Sequence, residues 1–152
     1  EIAMQVRSAK LPDVPALVAL GQEFISEAPN YSNRKFDANA LRQNLESVVN
    51  GQGAIFVVEA GTEIVGGIVC LTAKDWFNDD VIAFEQVFYI SPTYRTTQAS
   101  FLLIDAFIAW SKNMGASRIQ CGTTTGINTR GCIRLYERFG FTQYGTVLDM
   151  EL

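Results

Sequence analysis

The chain of 152 residues predicts a single α/β domain, with a mixed central sheet of about seven strands and helices on both faces. Three observations predict it. Segments with strand and helix periodicity follow one another in the order β-α-α-β-β-β-α-β-α-β-β. An early hairpin requires antiparallel pairing, whereas the later strand-helix-strand passages favour parallel pairing. One helical segment, beginning at about Gln98, is apolar nearly all round, as a centrally placed, covered helix is.

Each element has a local reason. Met4-Gln5-Val6-Arg7 alternates as a strand does. Asp13 is placed to cap a helix whose first turn accommodates Pro15, and Val14, Leu17, Val18, Leu20, Phe24 and Ile25 recur at helical spacing. Ala28 to Asn33 breaks that helix. A second one follows Asp37, carries Leu41, Leu45, Val48 and Val49, and ends at Gly51-Gln52-Gly53. Ala54–Ala60 and Ile64–Leu71 form a hairpin around Gly61-Thr62-Glu63. A polar loop, Asp75 to Asp80, surrounds Trp76 and Phe77 and leads into a strand from Val81 to Ile90, closed by Ser91-Pro92. The turn Thr93 to Thr97 opens the apolar helix, which runs to Asn113 before Gly115. Arg118–Gly122 is a strand, and Asn128–Phe139 a helix stopped by Gly140. Phe141–Tyr144 and Val147–Leu152 make a last hairpin around Gly145.

Composition narrows the chemistry. There is no histidine, which excludes Ser-His and Cys-His nucleophile pairs, His-ligated metals and imidazole proton shuttles within the chain. Proton transfer falls to Glu, Asp, Tyr, Cys, Lys or water. At 48% hydrophobic and 18% charged, the chain can build a core and has apolar surface to spare, which fits a homodimer. A net charge of −4 and a pI near 4.8 argue against a nucleic-acid surface, although Arg118, Arg130, Arg134 and Arg138 gather late in the chain. Cys70, Cys121 and Cys132 lack metal or disulfide spacing and read as buried thiols of a cytoplasmic protein. The longest apolar stretch, Phe101 to Trp110, is too short for a membrane span, and the start lacks the form of a signal peptide.

Two motifs carry a resemblance. One is Phe88-Tyr89-Ile90-Ser91-Pro92-Thr93-Tyr94-Arg95, a strand end followed by proline and a turn with arginine. The other is Cys132-Ile133-Arg134-Leu135-Tyr136-Glu137-Arg138-Phe139-Gly140-Phe141, a helix end. Together with the element order they resemble the GNAT-type N-acetyltransferase superfamily over nearly the whole chain, and the texture is similar to small phage-encoded members. The resemblance implies acetyl-CoA as co-substrate, direct acetyl transfer to a small-molecule or protein amine, and no metal. It also implies that Arg95 and the backbone N–H groups of Thr96, Thr97, Gln98, Ala99 and Ser100 hold the coenzyme diphosphate at a helix N-terminus. Phe88, Tyr89 and Ile90 would carry the pantetheine arm. Gln98 stands where the family has its first loop glycine, and Ser100 where it has a second small residue. A family member that has lost turnover and acts as a binding or inhibitory partner is the alternative.

The same resemblance assigns Tyr136 as the acid that protonates the leaving thiolate, a role suited to a phenol. Glu85 is the candidate base, with a strand-edge charge as its other reading. Strand alternation predicts Glu85, Val87 and Tyr89 on one face and Gln86, Phe88 and Ile90 on the other. Asn128 lies near a family cofactor position and also reads as a helix N-cap. The acceptor is expected to meet the loops that carry Tyr31, Asn33 and Arg34, then Asp75, Trp76, Asp79 and Asp80, then Tyr144.

Overall fold

A computed structural model describes residues 3–152. Strands β1 (Met4–Ser8), β2 (Ala54–Ala60), β3 (Glu63–Lys74), β4 (Val81–Ile90) and β5 (Ala116–Gln120) form one five-stranded sheet in sequence order. The first four strands pair antiparallel, and β4 pairs parallel to β5. The helices are α1 (Val14–Glu27), α2 (Ala38–Asn50), α3 (Ala99–Asn113) and α4 (Thr129–Arg138). The mixed sheet is therefore as predicted, but with five strands rather than about seven.

Two cores flank the sheet. On one face α1 and α2 cover Ile55, Val57 and Tyr89 with Val14, Leu17, Leu20, Phe24 and Leu45. On the other, α3 buries Leu103 and Phe107 against Val58, Val65, Ile68, Cys70 and Ala83. The all-round apolarity of α3 is explained by this packing, since the helix meets β1, β2, β3, β4 and β5. Asp13 precedes α1 as expected, but its side chain does not cap the helix. The carboxylate instead takes two hydrogen bonds from Arg7, at 2.7 and 2.8 Å, which hold its pKa down at about 2.

The predicted final hairpin is not formed. Residues 141–152 adopt no strand, and Tyr144, Val147, Leu148 and Met150 are exposed. Alternating apolar residues favour a strand only where another strand supplies the ladder, and this segment has none among the described residues. Its side-chain hydrogen bonds run from Gln120 to Tyr144, at 2.5 Å, and from Asn33 to Glu151, at 3.2 Å.

The face assignment along β4 is also corrected. Opposite residues in an antiparallel pair share a face. Cys70 lies opposite Glu85, but Val69 lies opposite Val87, so Gln86 is an extra residue in β4, a β-bulge. Beyond it the alternation is reset. Glu85 thus shares the α3 face with Ile68, Phe88 and Ile90, and Val87 and Tyr89 turn to the α1 face.

Candidate active site: a cleft through the split sheet

The bulge coincides with a split in the sheet. β4 and β5 pair only from Val81 to Phe84, and beyond that register the strands part. The gap becomes a cavity of about 810 Å³, walled on one side by residues 85–90 and on the other by residues 122–125. At the point of divergence the backbone N–H of Gly122 donates to Glu85 Oε1 at 3.1 Å. The cavity reaches both faces: Ser100, Phe101, Cys132 and Leu135 line it from α3 and α4, and Phe24, Tyr31 and Ile127 from the α1 face.

β4 directs two residues into the gap. The Ser91 N–H donates to Val65 O at 2.9 Å, which makes that pair a hydrogen-bonded one. By antiparallel alternation, the backbone groups of Phe88 and Ile90 point away from β3 and toward the gap. The Ile90 carbonyl is already occupied, accepting from Arg95 Nε at 2.9 Å, and its N–H is left facing the cleft.

The turn after Pro92 carries the candidate cofactor residues. Arg95, Thr96, Thr97 and Ser100 line the cavity, whereas Gln98 and Ala99 do not. Gln98 sits at the N-cap of α3 and is exposed, so its side chain does not fill the space where the family's glycine would stand. The Ala99 N–H is used internally, donating to Thr97 Oγ1 at 3.2 Å, and the Thr97 N–H donates to Tyr94 O at 3.3 Å. This leaves the N–H groups of Thr96, Gln98, Ser100 and Phe101 as the available donors at this end of the helix.

Arg95 is not a free cation. Both guanidinium ends bond the Glu27 carboxylate at the end of α1, and the group lies 5.3 Å from the Tyr89 ring centroid. Tyr89 Oη donates to Glu27 Oε1 at 2.8 Å. Arg95 holds the Glu27 carboxyl below its usual range, and burial pushes the Tyr89 phenol up. The triad fastens the cofactor turn to α1. Glu27 contributes stability that is present above the ordinary carboxylate pKa and lost as pH falls through its lowered folded value. Glu27→Gln should therefore lower stability by about 1–2 kcal/mol at pH 7. The two melting curves should converge in acid, a pH series of thermal melts being the measurement.

Of the two sequence readings of Asn128, the helix N-cap is the one observed. It lines the cavity and caps α4, its Oδ1 accepting from Gly131 N at 3.3 Å. It is left-handed, with φ 44°, a conformation asparagine tolerates. The capping amide lies against Gly131 so closely that any Cβ there would displace it.

Glu85 lines the cavity and Tyr136 does not, but both lie on the α3 face, which unbroken alternation along β4 would have prevented. Burial lifts the half-buried Glu85 carboxyl to about 7, only partly offset by the Gly122 N–H. Tyr136, on α4, packs against Phe88 and Phe141 with ring centroids 6.2 and 5.5 Å away. Its hydroxyl is the one buried side-chain oxygen or nitrogen without a hydrogen-bond partner among the described residues. Burial and then the Glu85 charge keep the phenol protonated. Burial and Glu85 likewise raise Cys70 and Cys121 to about 12, and burial raises Cys132. At neutral pH this cluster holds one group poised to change charge, Glu85, and one buried hydroxyl with a proton to give.

The expected acceptor residues divide. Tyr31 lines the cavity, while Asp75, Trp76, Asp79 and Asp80 do not. Those four sit on the β3–β4 connection, where Trp76 is exposed and Lys74 pairs with Asp79 at 3.7 Å. Phe24, Glu27, Thr123, Thr124 and Thr125 were not singled out from the sequence. Their contribution depends on which elements fold against one another, and only the three consecutive threonines after β5 were a visible cue.

Such a cleft, opened through a mixed sheet by parting strands and edged by unpaired backbone N–H groups at the start of one helix, defines the class: an α/β protein with a through-sheet cavity. Residues 17–141 match the model of the acetyltransferase (GNAT) family, and the chain belongs to that family. No curated protein matches it by sequence. Its fold is similar to that of an aminoglycoside N-acetyltransferase in complex with CoA, at 17% identity and TM-score 0.80 over 100% of this chain and 96% of that one. It is also similar to a transcriptional regulator from Bacillus halodurans C-125, at 17% identity and TM-score 0.81, covering 99% and 100% of the two chains. An integron cassette protein from the mobile metagenome of Cole Harbour Salt Marsh shares 23% identity at TM-score 0.79, covering 97% and 90%. Among the described residues no cluster of potential ligands could hold a metal ion, and no helix is long and apolar enough to cross a membrane.

Proposed function

We propose that this protein is an acetyl-CoA-dependent N-acetyltransferase that passes the acetyl group directly to an amine. The observation that carries the reading is Glu85, the one cavity carboxyl raised to neutrality, with the unpaired, buried Tyr136 hydroxyl on the same face of the sheet, just behind the cavity wall. A buried polar atom without a partner is costly to the fold and points to a ligand that supplies one. The unpaired N–H groups at the start of α3 fit an anion such as a diphosphate in the same way.

Acetyl-CoA, when bound, supplies the activated acetyl thioester. The chain's own residues do the rest. Thr96, Gln98, Ser100 and Phe101 offer backbone N–H groups to the phosphates, with Arg134 and Arg138 of α4 on the cavity wall as cations. The Ile90 N–H, directed into the gap, offers a donor to the carbonyl oxygen as charge builds on it. Glu85 takes a proton from the incoming ammonium, and Tyr136 Oη gives one to the departing sulfur. The Arg95–Glu27 pair keeps the phosphate turn in position rather than meeting the phosphates with a free charge.

Titration calorimetry tests this reading. Acetyl-CoA should bind, and Gln98→Ala should change its Kd by less than about threefold, because Gln98 points away from the cavity. No binding at millimolar acetyl-CoA would overturn the proposal.

A further inference from the structure

The chemistry of the acceptor can be read from the half of the cleft that opens on the α1 face. Its walls there are aromatic, and the one charged side chain among them, Arg95, is paired with Glu27. Phe24 meets Tyr31 edge-on at 5.2 Å and Tyr89 at 5.6 Å between ring centroids. All three line the cavity. The cavity's carboxylates among the described residues are Glu85, at the parting of the strands, and Glu137, on α4 beyond the opposite face. Glu27, next to the aromatic cluster, is neutralised by Arg95. Asp75, Asp79 and Asp80 line no part of the cleft.

The rim reinforces the pattern. The Arg34 guanidinium lies 4.2 Å from the Tyr31 ring centroid, adding positive charge beside that ring. A hydrogen-bonded bridge crosses this side and limits its width. Tyr31 Oη and Thr124 Oγ1 are 2.7 Å apart, Asn30 Nδ2 donates to Thr124 O at 3.0 Å, and Asn30 N donates to Thr125 O at 3.1 Å.

Resting on the acetyltransferase reading, we infer that the acceptor is a small monoamine: one ammonium presented to Glu85, on a neutral apolar or aromatic body seated against Phe24, Tyr31 and Tyr89. One carboxylate partners one cation. Aromatic faces and edges favour an apolar body. A polyamine or aminoglycoside would bring further ammonium groups among these rings, where the cavity wall holds no unpaired carboxylate, Glu23 lying outside it at 3.4 Å from Tyr89 Oη, and unpaired charge there is penalised.

Release of CoA thiol is followed with phenethylamine, spermidine and kanamycin as acceptors, alongside acetyl-CoA calorimetry. Phenethylamine should exceed both polycations in kcat/KM by about 100-fold. Tyr31→Ala should raise KM for phenethylamine by about fivefold and leave the acetyl-CoA Kd within about twofold. The inference is overturned if spermidine or kanamycin is acetylated as well as phenethylamine. It is equally overturned if a protein that binds acetyl-CoA leaves phenethylamine unmodified. Failure to bind acetyl-CoA at all removes the acetyltransferase reading, and this inference with it.

Discussion

Tyr136→Phe should lower kcat by about 100-fold or more while making the protein no less stable. The first effect is the ordinary contribution of a positioned general acid, about 10²–10⁴ in rate. The second follows from burial. Tyr136 is 5% exposed, and its hydroxyl has no partner among the described residues, so the folded protein carries the desolvation cost of that group uncompensated. Phenylalanine keeps the ring between Phe88 and Phe141 and removes the orphaned oxygen. Stability should stay level or rise by about 1 kcal/mol. Acetyl-CoA affinity should change little, because the ring stays and the N–H groups at the start of α3 are untouched. Steady-state kinetics, thermal melts and calorimetry on one variant separate the two cases. A purely structural tyrosine would keep its turnover per folded molecule, whatever the change in stability.

Glu85→Gln should remove turnover to a similar extent and erase a step in the pH profile. A base must be ionised to act, and Glu85 ionises at about 7. In the wild type kcat/KM should rise through that pH, below the separate ionisation of an amine acceptor at about 10. In the variant the lower step should be gone. The raised carboxyl also has a consequence for stability, with a fixed sign. A carboxyl whose folded value lies above its ordinary value of 4.5 contributes stability that is complete below 4.5 and is lost as pH rises through about 7. Each tenfold change in acidity is worth about 1.4 kcal/mol, which sets an upper limit of about 3.5 kcal/mol on that loss. The glutamine variant should thus gain stability relative to wild type at pH 8 and show little difference at pH 4. Loss of activity with a gain in alkaline stability would mark Glu85 as held for chemistry rather than for the fold.

Much of this was legible in the chain. The apolar periodicities gave four helices and the strands up to Gln120, because each follows from local spacing and from capping or breaking residues such as Asp37, Gly51, Gly115 and Gly140. The helix that carries Tyr136 was legible from its motif. The last hairpin was misread because residues 141–152 have a strand's alternation without a strand's partner. The face of Glu85 was misread because a bulge is a property of two strands together. Nothing in Glu85-Gln86-Val87 signals that Gln86 has no opposite number on β3.

Arg95 shows the same boundary from another side. Its motif marks the turn, but its partner Glu27 is 68 residues away, and that pairing makes Arg95, which the motif alone would assign to a phosphate, a clamp on α1. The sequence by itself determined the order and type of most elements, the absence of imidazole chemistry and the helix end that carries Tyr136, all set by local spacing and residue type. Only the tertiary structure decided that β4 and β5 part after Phe84, that Glu85 lines the resulting cleft on the face where Tyr136 packs, and that Gln98 stays off its wall. These are relations between segments distant in the chain, and long-range packing, which no local pattern encodes, sets them.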